Sequence, residues 1–125
     1  VLVLTFGTGI GSVLFRDGLL VPNVELGSVR WKKEQILERF AADSARTRDH
    51  LTWARWAKKR VQPALEYLEF LFAPDLIIIG GGVSKPEKWS QFSDLLRTDA
   101  RLKPAALGNE AGIVGAALAA RERAG

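Results

Sequence analysis

Val1-Leu2-Val3-Leu4-Thr5-Phe6-Gly7-Thr8-Gly9-Ile10-Gly11-Ser12-Val13-Leu14-Phe15-Arg16-Asp17-Gly18 opens the chain and decides its fold. Val1 to Phe6 is an unbroken run of β-branched and large apolar residues, the pattern of a buried strand. Gly7, Gly9 and Gly11 then punctuate it, and a second apolar run starts at Val13. Asp17-Gly18 is a hairpin signal, and Leu19 to Val21 supplies a third short strand. The expected unit is a meander of three strands. Glycine in its first turn permits φ > 0 and close backbone approach, and successive amides there can converge on an anion. Thr8 adds a hydroxyl donor. The turn therefore reads as a phosphate clamp, and equally as a glycine-rich hairpin with no ligand.

Two better-known phosphate loops fail on spacing. A dinucleotide fingerprint needs glycine where Ser12 stands and a helix rather than a strand afterwards. A Walker loop needs Gly-Lys before Ser or Thr, and the chain has no such sequence.

Composition narrows the class further. A chain of 125 residues with 47% hydrophobic content forms one globular domain with a real core. Without cysteine there is no disulfide framework and no thiolate metal site. His50 is the single histidine, which argues against histidine-clustered metal sites and serine–histidine chemistry. No apolar run approaches the ~20 residues of a membrane span and no signal peptide precedes the first strand, so a cytoplasmic location is expected. The absence of methionine and the start inside a strand point to a piece of a longer protein.

The net charge of +4 comes from 18 basic and 14 acidic residues. Arg30, Lys32 and Lys33 form one basic cluster, and Arg55, Lys58, Lys59 and Arg60 another. Such clusters suit a polyanion such as polyphosphate, a nucleotide or nucleic acid. They equally suit a solvated helix face opposite Trp53, Trp56, Ala57 and Val61, the better reading for each lysine taken singly.

Along the rest of the chain, Pro22 to Ser28 reads as a loop carrying Glu25 at the end of the third strand. Helical spacing covers 34–45, a polar gap covers 46–50, and Thr52 is the N-cap of a long helix to about residue 72. Pro63 interrupts that helix, which predicts a kink or two helices in series. Leu76 to Ile79 reads as a buried central strand, followed by Gly80-Gly81-Gly82-Val83 and a helix over 86–96. A strand over 102–107 and a last helix over 110–123, capped by Asn109, complete the order β-β-β-α-α-β-α-β-α. The triple glycine sits between a strand end and a helix start, where α/β folds bind anions and other ligands.

Four of these stretches carry a resemblance. Thr5-Phe6-Gly7-Thr8-Gly9-Ile10-Gly11, Glu25-Leu26-Gly27, Ile79-Gly80-Gly81-Gly82-Val83-Ser84 and Asn109-Glu110-Ala111-Gly112-Ile113-Val114-Gly115-Ala116 resemble, in this order, the C-terminal half of a ROK-family sugar kinase. Within the family the chain is most similar to the glucose kinases that use polyphosphate. The resemblance spans essentially the whole chain. It implies an α/β fold, one half of the actin-like (ribonuclease H-like) kinase fold, with a mixed five-stranded sheet.

The resemblance further implies phosphoryl transfer from polyphosphate or ATP to the 6-hydroxyl of glucose, with Mg2+ arriving on the donor and no zinc. Carried over by position, Gly7, Thr8, Gly9 and Gly11 would hold the transferred phosphate, and Gly80, Gly81, Gly82 and Val83 would line the donor site. Glu25 matches a sugar-binding glutamate of the motif Glu-x-Gly-His, and Glu38 corresponds to a second one or else to a solvated helix residue. Ser28 stands where the motif has histidine, which removes a ring donor to the sugar. No catalytic base is assigned, because the family places that aspartate in an N-terminal half. A homodimer is implied for the intact enzyme, and the 125-residue chain alone is expected to be inactive. Alternative readings are an ATP-only ROK kinase, the sugar-sensing half of a ROK transcriptional repressor, and a nucleic-acid-binding domain. The last is disfavoured by the lack of aromatic and basic pairs on strands.

Overall fold

The structure is a computed structural model and describes residues 1–22, 24–31 and 35–105. Five strands form one mixed sheet: β1 (Leu2–Phe6), β2 (Ile10–Arg16), β3 (Leu19–Val21), β4 (Leu76–Gly80) and β5 (Arg101–Pro104). Their order across the sheet is β3-β2-β1-β4-β5. β1 runs antiparallel to β2 and parallel to β4, with Thr5 facing both Gly11 and Gly80. The meander follows the expected pattern. Asp17 and Gly18 both take positive φ, 52° and 77°, as a two-residue turn matched to strand twist requires.

The helices are α1 (Leu37–Ala41), α2 (Asp43–Arg48), α3 (Trp53–Trp56), α4 (Gln62–Phe72) and α5 (Pro86–Trp89). Thr52 caps α3 as expected, its hydroxyl accepting from the Arg55 amide at 3.1 Å. The long stretch forms two helices in series, as expected, but the division falls before Pro63. A π turn over Ala57–Val61 joins α3 to α4, leaving Pro63 in the first turn of α4, where its missing N–H costs nothing.

Three expectations are corrected. The helix expected over 34–45 is broken at Ala42, whose ψ of 160° is extended, and α2 occupies much of the expected gap at 46–50. The cause lies in Ser44, which docks on the glycine turn and redirects the chain. The helix expected over 86–96 stops at Trp89, followed by a turn and a 3-10 turn at Ser93–Leu95. Phe92 leaves helical geometry, with φ of −139°, and packs against Trp53, Trp56 and Trp89 at centroid distances of 5.1 to 5.7 Å. The last strand begins at Arg101 and ends at Pro104, an edge position that tolerates proline. The helix expected over 110–123 and the motif starting at Asn109 lie outside the described residues.

One hydrophobic layer lies between sheet and helices. Leu2, Leu4 and Phe6 of β1 and Ile77 and Ile79 of β4 meet Leu37, Trp56, Val61, Leu65 and Leu68. The Trp56 indole donates to the Ala41 carbonyl at 3.0 Å, so even its one polar atom is satisfied. This packing leaves the C-terminal ends of β1 and β4 side by side.

Candidate functional site

Both glycine-rich stretches emerge from adjacent parallel strands at the same end of the sheet. Gly81 follows β4 with φ of 86°, and a Cβ there would lie 3.1 Å from the Phe6 carbonyl oxygen. Only glycine combines that conformation with that approach. Ser84 closes the turn, its hydroxyl donating to the Gly81 carbonyl at 2.7 Å. Gly80 is buried within the strand and Val83 belongs to the core, so Gly81 and Gly82 form the open part of this stretch. Lys88 of α5 lies beside it, 4.0 Å from where a Gly82 Cβ would stand. Sequence reading missed this cation, because its proximity depends on the turn that precedes α5.

The first glycine turn is held from three sides. Gly7 donates its amide to the Gly9 carbonyl at 3.0 Å. Ser44 donates its amide to the Gly7 carbonyl at 3.0 Å and its hydroxyl to the Thr8 carbonyl at 2.6 Å. The Ile10 amide donates to Glu38 Oε2 at 3.2 Å. Among the described residues this leaves the amides of Thr8 and Gly9 and the Thr8 hydroxyl as donors without an acceptor. The exposed Thr8 side chain stands at the tip.

The expectation that these glycines serve positive φ is corrected. Gly7, Gly9 and Gly11 all lie outside that region. A Cβ on Gly9 would sit 2.6 Å from Glu38 Oε2, and one on Gly11 would overlap the Thr5 hydroxyl. Small size, not handedness, is what Gly9 and Gly11 contribute. Gly7 has open space around it.

The Glu25 loop is joined to the same turn. Ser12 Oγ of β2 donates to the Val24 carbonyl at 2.8 Å and accepts from the Leu26 amide at 3.0 Å, clamping the backbone on either side of Glu25. Gly27 is buried where a Cβ would overlap the Ile10 carbonyl and lie 2.8 Å from Glu38 Oε2. Glu25 and Ser28 remain exposed, linked by a bond from the Ser28 amide to the Glu25 carbonyl at 3.3 Å. Thus Glu38 is not a solvated helix residue. It is wedged between Gly9 and Gly27 and touches both segments. Ser12 and Ser44 were not singled out as site residues, since nothing in their sequence context distinguishes them from ordinary strand and helix serines.

This end of the sheet carries neutral donors at Thr8 and Gly9, a carboxylate at Glu25 and an ammonium at Lys88. Such a set can grip phosphate oxygens and accept hydrogen bonds from hydroxyls, but supplies no buried acid or base. Among the described residues no group of three His, Cys, Asp or Glu side chains is placed to hold a metal.

No family model matches the chain. Its fold is half of the actin-like fold of ROK sugar kinases. A ROK family glucokinase from Streptomyces griseus, solved with glucose and AMPPNP, shares it with a TM-score of 0.57 at 24% identity, over 97% of this chain and 60% of that one. The inorganic polyphosphate/ATP-glucomannokinase from Arthrobacter sp. strain KM matches with a TM-score of 0.82 at 43% identity, over 98% of this chain and 47% of that one.

In sequence the chain is a relative of the polyphosphate glucokinases. That of Mycobacterium tuberculosis (strain H37Rv) is 44% identical over 120 residues, 95% of this chain and 43% of the relative. That of Mycobacterium leprae (strain TN) is 41% identical over 120 residues, 95% of this chain and 36% of the relative. The chain thus spans less than half the length of these curated relatives.

Proposed function

We propose that the chain is the C-terminal domain, residues 1–125, of a polyphosphate/ATP glucokinase, which transfers a phosphoryl group to the 6-hydroxyl of glucose. Its share is the donor and phosphate-binding half and part of the sugar site. The observation that carries this reading is the junction at Glu38, where a turn with unengaged donors and a loop bearing an exposed carboxylate meet between the end of β1 and the start of β2. The identities above 40% to a polyphosphate/ATP-glucomannokinase and to polyphosphate glucokinases support it.

Phosphoryl transfer asks the protein mainly to position its reactants and to stabilise spreading negative charge. The Thr8 hydroxyl and the Thr8 and Gly9 amides would bind the oxygens of the transferred group. Gly81 and Gly82, with Lys88, would line the rest of the donor. Glu25 would accept hydrogen bonds from glucose hydroxyls. Mg2+ would enter with the donor, and the base that takes the proton from the sugar would come from the N-terminal half. The intact enzyme would be a cytoplasmic homodimer. No helix among the described residues is long and apolar enough to cross a membrane.

Thr8→Ala in the intact enzyme tests the assignment. Losing one donor aimed at a transition-state oxygen typically costs ~10²-fold or more in rate. Turnover with polyphosphate and with ATP should fall by that order while the melting temperature stays put. Unchanged turnover removes Thr8 from the site.

A further inference from the structure

A cleft of about 480 Å3 lies on the far side of α1 from Glu38, lined by Arg30, Arg39, Phe40, Arg48, Asp49 and Arg60 among others. Four guanidinium groups line it beside one carboxylate, and two of them engage it. Arg48 donates through Nε and Nη2 to Asp49, at 3.0 and 2.9 Å, and Arg60 Nη2 donates to Asp49 Oδ2 at 2.9 Å. The same two side chains cap the end of α1, Arg48 Nη2 donating to the Arg39 carbonyl at 2.8 Å and Arg60 Nη1 to the Phe40 carbonyl at 2.7 Å. Helix stapling therefore accounts for Arg48, Arg60 and Asp49. It does not account for Arg30 and Arg39, which are exposed and have no carboxylate partner among the described residues.

We infer that this cleft is a binding site for a condensed phosphate chain, separate from the glycine turn and lying close behind it. Planar guanidinium forks match phosphate oxygens in pairs, and Arg30 and Arg39 supply them. Arg48 and Arg60, whose forks are engaged by Asp49 and the α1 carbonyls, add fixed positive charge. The cleft is open to water, so each contact is screened and a single phosphate gains little. A polyanion that meets several charges at once gains from all of them. Its direction follows from two helices. α1 presents Glu38 to the glycine turn and the next two residues to the cleft. α2 presents Ser44 to the turn and Arg48 to the cleft, four residues and roughly 6 Å further along its axis. This deepens the donor reading above, because a chain whose end is gripped at Thr8 has its tail beside the arginines.

The test is direct binding to the intact protein by calorimetry, using long-chain polyphosphate, pyrophosphate and orthophosphate. Arg30→Gln/Arg39→Gln should weaken long-chain polyphosphate about tenfold or more at moderate salt, leaving pyrophosphate binding and the melting temperature unchanged. Unaltered polyphosphate affinity in that variant overturns the inference. So does an equal loss for orthophosphate, which would mean a site for one free phosphate. Tighter binding of single-stranded nucleic acid of matched charge at the same arginines overturns it as well. The two readings fail separately. Intact polyphosphate binding in the double variant, with turnover lost in Thr8→Ala, sinks only the cleft. Loss of polyphosphate binding in a protein that phosphorylates no sugar sinks only the glucokinase reading.

Discussion

Glu38 Oε2 accepts the Ile10 amide at 3.2 Å from a slot that exists only because Gly9 and Gly27 lack side chains. The two glycines are not equivalent. At Gly9 a methyl group meets only the end of a flexible carboxylate, whereas at Gly27 it meets the Ile10 backbone carbonyl as well. Gly9→Ala should therefore cost ~1 kcal/mol, about one displaced hydrogen bond. Gly27→Ala should cost ~1–3 kcal/mol by forcing backbone apart. In a Glu38→Ala background the first cost should nearly vanish and the second persist. Denaturant unfolding of the double-mutant cycles measures both, and equal rescue would mean that Glu38 alone defines the slot.

The exposed carboxylate of Glu25 gives a prediction about substrate. If it accepts glucose hydroxyls, Glu25→Gln replaces a charged acceptor with a neutral one, roughly half as strong. KM for glucose should rise far more than KM for the donor. Ser28→His should act on the same quantity in the opposite direction. Initial-rate kinetics with each substrate varied in turn decide it, and an effect confined to the donor would move the loop to the donor side.

Asp49 carries a pH signature. Hydrogen bonds from Arg48 and then Arg60 hold its carboxyl at about 2, below its ordinary 3.8. A lowered folded-state value means that the ionised form is favoured by folding. Its contribution is complete above about pH 4 and is lost as pH falls toward 2. Because the side chain is exposed, the effect should be small. The melting-temperature gap between wild type and Asp49→Asn should be constant from neutral pH to about 5 and close near pH 2. A gap that widens on acidification would contradict this pairing.

On its own, the 125-residue chain should phosphorylate no glucose. General-base assistance typically supplies ~10²–10⁴-fold, and holding two substrates between two domains supplies more. The described residues offer neither, and the donors of the glycine turn face open solvent, where hydrogen bonds to an anion are weak. Sustained turnover by the purified chain, after controls for contaminating kinase, would make Glu25 the first candidate for the base.

What the sequence determined by itself was local. Apolar runs with strand and turn punctuation specified β1 to β4, the Asp17-Gly18 hairpin and the Thr52 cap, because each depends on neighbours a few residues away. Both glycine stretches and Glu25 were legible for the same reason. The tertiary structure decided what those stretches meet. The break at Ala42 exists because Ser44 finds two carbonyls 36 and 37 residues upstream. The end of α5 follows from Phe92 packing among three tryptophans. Glu38 could be read equally well as a surface residue until the sheet brought Gly9 and Gly27 together around it. Hydrogen bonds and steric contacts between distant residues are selected by the packing of the whole core, and periodicity along the chain carries no record of them.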